Sequence, residues 1–271
     1  MTTVVRSRFA EHNGTIIHYL DWGGQGAPVL LIHGNRGRAK LWESVAGELA
    51  QDFRVVAMDV RGHGWSGRPR DGAYDRFTLA GDAVAVLDAA GVQQASVIGH
   101  SLGGWIGVTM AAQFAPRVKR LVIEDINLDG DPDAEADWAK LAASARRSFA
   151  TREEGLDWLR AGGANPDWAG ASLEQQPNGS WAWAFDYDAL VRVAAGTVDP
   201  YWDLAARVSQ PVQLLWARKG WIHTAESAQR MAAAFTGVRG VVPFDTNHWI
   251  HGLDPEGYLR TVRPFLQGKL D

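Results

Sequence analysis

Not one cysteine occurs in the 271 residues of this chain. That absence excludes disulfides, thiolate nucleophiles and zinc–thiolate centres together. Long apolar runs are missing too, since no stretch approaches the ~20 residues that a membrane-crossing helix needs. The first residues, Met1-Thr2-Thr3-Val4-Val5-Arg6, lack a long apolar run, so a leader is not expected. Nor is there an excess of one charge: 27 Lys and Arg against 31 Asp and Glu leave a formal net charge of −4. The basic residues are scattered, so neither nucleic acid nor an anionic membrane is an expected partner. The expectation is a cytoplasmic protein acting on a small-molecule substrate, and a homodimer is compatible with it. What the chain does have in quantity is glycine, at 30 residues, and tryptophan, at 13.

The glycines punctuate an alternation of strands and helices. Two β-rich segments, Val4 to Phe9 and Thr15 to Asp21, flank Asn13-Gly14, a hairpin signal. Pro28 to Ile32 is a continuous apolar run of the kind a buried parallel strand requires. A helix with Trp42, Val45 and Leu49 on one face follows it. Arg54 to Met58, Val118 to Asp125, Val212 to Ala217 and Gly240 to Phe244 are further strands. Leu79 to Ala90, Ala225 to Phe235 and Pro255 to Leu266 are helical. This pattern predicts an α/β fold, a mostly parallel twisted sheet with helices on both faces. The alternation lapses between Ile126 and Gln210, which is helical in pattern and broken at Gly162-Gly163, Pro166, Pro177 and Asn178-Gly179. The expected organisation is therefore a core of 1–125 and 211–271. A helical lid, 126–210, is inserted between the sixth and seventh strands, over the strand carboxyl ends where ligands of such sheets bind.

The organising stretch is Val97-Ile98-Gly99-His100-Ser101-Leu102-Gly103-Gly104. An apolar strand enters a Gly-x-Ser-x-Gly turn and a helix of small and apolar residues leaves it. A serine on that strained turn projects its Oγ clear of the backbone, and the glycines let strand and helix approach. A helix starting at the serine turns free N–H groups toward any oxyanion formed there. One oxyanion donor is expected to be the backbone N–H of Leu102, and the other to come from Asn35, in the loop after His33-Gly34.

Four motifs in order make the chain resemble the α/β-hydrolase superfamily along nearly all its length outside the lid. They are Leu31-Ile32-His33-Gly34, Asp59-Val60-Arg61-Gly62-His63-Gly64-Trp65-Ser66, Gly99-His100-Ser101-Leu102-Gly103-Gly104 and Asn247-His248-Trp249-Ile250-His251. The lid segment Trp181 to Asp186 is similar to that of small esterase-like members. The resemblance implies a serine hydrolase with Ser101 as nucleophile and His248 as base. It places the acid most often in the loop after Val212 to Ala217. Here that loop reads Ala217-Arg218-Lys219-Gly220-Trp221, with glycine at the carboxylate position. Some members carry the acid one strand earlier, which is Asp125. Glu124 would point to the other side of the strand, and Glu226 and Asp245 stay open as alternatives. His251, three residues after His248, has no carboxylate-rich motif beside it, so no metal and no cofactor are expected.

Six tryptophans lie in the lid: Trp138, Trp158, Trp168, Trp181, Trp183 and Trp202. Most should pack it onto the core, but aromatic residues also suit an apolar pocket. Trp183, Phe185, Trp105 and His33 are the expected substrate contacts. The resulting expectation is a carboxylic ester or lactone with a hydrophobic or aromatic part, cleaved through an acyl-enzyme. Dehalogenases and epoxide hydrolases of this fold use aspartate where Ser101 stands. Carbon–carbon bond hydrolases, cofactor-free ring-cleaving dioxygenases and ligand receptors of the fold share the serine and histidine, so they remain alternatives.

Overall fold

Eight strands form one sheet in the order β1-β2-β4-β3-β5-β6-β9-β10 in a computed structural model that describes residues 4–69, 72–130, 132–145, 147–161, 166, 170–196, 198–220 and 224–270. The strands are β1 (Arg6–His12), β2 (Thr15–Gly23), β3 (Pro28–Ile32), β4 (Arg54–Met58), β5 (Ala95–His100), β6 (Val118–Glu124), β9 (Val212–Ala217) and β10 (Val238–Phe244). β1 and β2 pair antiparallel through Asn13-Gly14, whose positive φ values of 50° and 72° suit the twist of a two-residue hairpin turn. From β4 to β10 every neighbouring pair is parallel. The strand carboxyl ends therefore share one edge, where Ser101, Asp125 and the loop after β10 come together.

Both faces of this sheet are buried, so successive residues feed two cores. In β3, Leu30 and Ile32 join one core while Val29 and Leu31 join the other. Helices α2 (Arg76–Ala89) and α3 (Leu102–Gln113) cover the first face. Asp75 caps α2 by accepting from the N–H groups of Phe77 and Thr78, which satisfies donors the helix cannot. On the second face α1 (Glu43–Leu49) and α10 (Pro255–Leu266) bury Leu49, Tyr258 and Phe265 beside Trp42.

The residues between β6 and β9 form α4 (Ala134–Ala145), α5 (Arg152–Ala161), the strands β7 (Leu173–Gln175) and β8 (Trp181–Trp183), α6 (Tyr187–Ala195) and α7 (Trp202–Ala205). β7 and β8 pair antiparallel around Asn178-Gly179, so this stretch is not wholly helical. It has its own core of Phe149, Leu156, Leu159, Leu173, Trp183 and Leu190, joined by Phe185. Backbone bonds fasten it to the loop after β4: Asp186 N–H donates to Gly62 O at 2.8 Å, and Gly64 N–H to Ala184 O at 2.6 Å. Gly162-Gly163, Trp168, Trp221 and His223 lie outside the described residues. Among the described residues no helix is long and apolar enough to cross a membrane.

Candidate active site

The turn after β5 has the strain its glycines foretell. Ser101 sits at φ 51°, ψ −120°, a conformation that non-glycine residues rarely adopt. A Cβ on Gly99 would fall 2.1 Å from Gly103 O, and one on Gly103 would fall 2.0 Å from Ile32 O. Only glycine lets the turn close at both positions. Ser101 N–H donates to Glu124 O at 2.9 Å, which ties the turn to β6. The first helical N–H groups that bond back, Gly104 and Trp105, both reach Ser101 O. Leu102 and Gly103 precede them, so their N–H groups belong to the unsatisfied first turn.

His248 lies in the loop between β10 and α9 (Ile250–Leu253). Its Nδ1–H donates to Asp125 Oδ2 at 2.7 Å. Asp125 is 1% exposed, and its Oδ1 accepts from Ala217 N–H at 3.0 Å, which fixes the carboxylate. Like Ser101 it has a positive φ, 51°. Gly220 explains why the carboxylate can stand there. A Cβ at Gly220 would come within 2.8 Å of Asp125 Oδ2. Glu226 is exposed in the first turn of α8 (Ala225–Ala234), and Asp245 pairs with Lys219 at 3.1 Å. Neither is placed against His248.

A second acid–histidine pair stands behind the first. Glu124 points to the opposite side of the strand end from Asp125 and accepts from His251 Nδ1–H at 2.8 Å and from His251 N–H at 3.1 Å. Both residues are buried, and Trp42 stacks on the His251 ring at 4.0 Å. Burial alone would raise the Glu124 carboxyl, but the neighbouring His251 and His100 bring it down to about 2. His100 Nε2–H donates to the carbonyl of His248 at 3.0 Å, so the residue beside the serine also holds the base's loop.

One cavity of about 350 Å³ is lined by Ser101, Leu102 and His248 together with Asn35, Arg36 and Trp105. Ser101 and His248 line the same cavity, and among the described residues no hydrogen bond joins Ser101 Oγ to the imidazole. Burial pushes His248 below its ordinary 6.5 most strongly; Glu124 opposes this and Arg36 adds to it, leaving about 4. The imidazole is therefore neutral near pH 7, the state in which it can accept a proton.

Of the expected substrate contacts, Trp105 lines the cavity, its indole N–H donating to Asn127 O at 2.8 Å. Trp183 and Phe185 require correction. They stack on each other at 6.0 Å inside the core of the insertion, away from the cavity wall. His33 is likewise a loop-former, donating from Nδ1–H to Gly34 O at 2.7 Å and accepting Val60 N–H at Nε2. The Asn35 side chain turns to His63 Nε2 at 2.9 Å and to Leu190 O, so it is engaged with neighbouring loops. Arg36, Trp138 and Trp249 also line the cavity. Sequence signals for them were limited to adjacency: Arg36 follows Asn35 and Trp249 follows His248. Trp138 belongs to the aromatic-rich insertion, but only folding distinguishes it from its neighbours.

A family model described as the alpha/beta hydrolase fold matches residues 27–255. Among curated relatives, 2-hydroxymuconate semialdehyde hydrolase of a Pseudomonas species is 41% identical over 103 residues, 37% of this chain and 36% of that protein. Esterase YbfF of Escherichia coli is 25% identical over 257 residues, 89% of this chain and 93% of that protein. The crystal structure of E-2-(acetamidomethylene)succinate hydrolase superposes with a TM-score of 0.88 over 97% of this chain and all of the other, at 20% identity, a likeness of fold. The stretch shared with the first relative thus spans about a third of its length. With the family model covering most of the residues, and the elbow, histidine loop and parallel sheet in place, this chain belongs to the α/β-hydrolase family.

Proposed function

We propose that this protein is a serine hydrolase of carboxylic esters or lactones. The observation that carries the reading is the 2.7 Å bond from His248 to Asp125, facing the same cavity as a strained Ser101. His248 Nε2 takes the Ser101 proton as Oγ attacks the carbonyl carbon. The charge that develops on the carbonyl oxygen faces the N–H groups of Leu102 and Asn35. Asp125 keeps the Nδ1 proton in place and stabilises the imidazolium. That imidazolium protonates the leaving alcohol, and a water activated by the same nitrogen then releases the acid from Ser101. The indoles of Trp105, Trp138 and Trp249 favour an unsaturated or aromatic substrate part.

A second reading, hydrolysis of a carbon–carbon bond, uses the same residues and differs in the leaving group. Similarity to a 2-hydroxymuconate semialdehyde hydrolase favours it. A panel of p-nitrophenyl esters, lactones and vinylogous diketones, run alongside a fluorophosphonate label, separates the two. Ester turnover with a mass increase on Ser101 supports the first reading. Turnover of diketones alone favours the second. Consumption of oxygen in step with turnover would overturn both in favour of a ring-cleaving dioxygenase.

A further inference from the structure

Four non-glycine residues among those described have a positive φ: Asn13, Arg36, Ser101 and Asp125. Asn13 is accounted for by its hairpin. Ser101 and Asp125 belong to the candidate active site. Arg36, at φ 64°, is the one that the hydrolytic mechanism leaves unused. Its backbone is held from both sides, the N–H by Asn35 Oδ1 at 3.3 Å and the carbonyl by Ser172 Oγ–H at 3.2 Å. Strain of this sort persists where the surroundings impose it, and it gathers at functional sites. Here it presents a long cationic side chain to the cavity that contains Ser101 and His248.

The guanidinium is half-buried, and among the described residues no carboxylate pairs with it. Other inward arginines are treated differently: Arg61 is paired with Asp82 and Arg38 with Glu174. The acids nearest the serine are already engaged, Asp125 by His248 and Ala217 N–H, Glu124 by His251. What the Arg36 side chain does meet is the Trp138 ring, 5.9 Å from its centre. A half-desolvated cation with an aromatic neighbour and no anion is a site missing its counter-ion.

Resting on the hydrolase reading for the cavity's role, we propose that Arg36 is the specificity-determining residue and that the substrate bears a carboxylate, held by Arg36 while its unsaturated stem lies among Trp138, Trp105 and Trp249. The arrangement couples binding to chemistry. An unmatched Arg36 opposes the imidazolium that forms on His248, as its lowering effect on that base shows. A bound carboxylate neutralises Arg36, so an anionic substrate gains in kcat as well as in KM. A neutral ester of the same shape leaves the opposing charge in place.

The test is a matched pair, the mono-p-nitrophenyl ester of adipic acid and its methyl ester, which differ only in the free carboxylate. Wild-type protein should favour the hemiester by about ten-fold or more in kcat/KM, the scale of one charge-assisted contact. Arg36→Met should bring that ratio toward one, and Arg36→Lys should restore part of it. A second measurement needs no ester turnover: protection of Ser101 from a fluorophosphonate by benzoate, with benzamide as the neutral control. Benzoate should protect the wild type and fail to protect Arg36→Met, whose melting temperature is recorded alongside. Equal protection of both proteins, or an unchanged ester ratio in Arg36→Met, would overturn the role given to Arg36. Loss of all Ser101 labelling in the wild type would instead overturn the hydrolase reading.

Discussion

Two Ser–His–Asp arrays occur among the described residues, and by distance alone the one at Ser7 looks better. On the first two strands, Ser7 Oγ–H donates to His18 Nε2 at 2.7 Å, and His18 Nδ1–H donates to Asp59 Oδ2 at 2.7 Å. The surface cleft beside it, about 370 Å³, is as large as the cavity at Ser101. Ser101, by contrast, makes no hydrogen bond to its histidine. The difference lies in what surrounds the serines. Ser7 lies in a regular edge strand opposite Leu20, with no helix starting behind it. Asp59 also fastens loops, accepting from Ala39 N–H and Trp65 N–H. Ser101 has the strained turn, a helix amino terminus and a second loop facing it. Hydrogen-bonded order makes the Ser7 array structural; preorganised donors around a reacting atom make the other a candidate for catalysis.

The sharpest way to break this comparison is to remove each serine. Ser101→Ala should lower ester turnover by roughly 10⁴–10⁶-fold, as expected when one member of a unit is lost, and should abolish the fluorophosphonate mass shift. Ser7→Ala should leave both unchanged. A label that moved to Ser7 in the Ser101→Ala protein would reverse the assignment.

The acids come next. Asp125→Asn should reduce kcat by about 10⁴-fold, the effect of substituting an amide for a triad aspartate. Glu226→Gln, on an exposed turn of α8, should alter kcat by less than two-fold if Asp125 orients the histidine. Steady-state kinetics on one activated ester would decide between them.

Glu124→Gln should act mainly on stability. It leaves His251 without its carboxylate in a buried site, and breaking such a pair costs on the order of 3–5 kcal/mol. Denaturant unfolding should show this loss, while the folded variant should keep far more activity than Asp125→Asn. Equal collapse of kcat in the two would mean that both acid–histidine pairs take part in turnover.

The smallest effects are those of pH. Burial lowers His33 and His100, takes His63 to about 3, and leaves His248 at about 4. The unfolded chain therefore binds protons first as the pH falls below 6.5. Stability should decline from about pH 6.5 towards 4, which melting curves across that range would show. Glu124 acts in the same sense at lower pH: its contribution is complete above its ordinary 4.5 and is lost as the pH falls through about 2. The acid limb of kcat/KM should lie near 4 rather than 6.5. A limb at 6.5 would mean that the Asp125 charge outweighs burial at His248.

Much of the site was legible because backbone chemistry writes it locally. Gly99-x-Ser101-x-Gly103 reads as a close turn because a strand enters it and a helix leaves it, and Gly220, where the resemblance most often places the acid, has no side chain to offer. Asp125 came from the resemblance to members that carry the acid one strand earlier, and the alternation of β6 served only to send Glu124 to the other side. The insertion was less legible. Trp181-Ala182-Trp183-Ala184-Phe185 alternates large and small residues with the period of a strand, a signal that a helical reading of the region passes over. Trp105, next to the elbow, is an expected contact that lines the cavity, but which aromatic residues of the insertion would face it could not be read. Trp138 and Trp183 are the same residue type in one insertion, and only packing across elements distant in sequence separates them. Arg36 was hidden for a related reason, since nothing local to its loop says that no acid will meet it.

Gly220 has a consequence for where an acid can stand. His248 requires a carboxylate at one point in space, and two strand ends, β6 and β9, reach that point. A side chain at 220 would displace the Asp125 oxygen that the imidazole and Ala217 N–H now hold. The two sources are thus mutually exclusive occupants of a single seat. A carboxylate placed at 220 would have to push Asp125 aside before it could face His248.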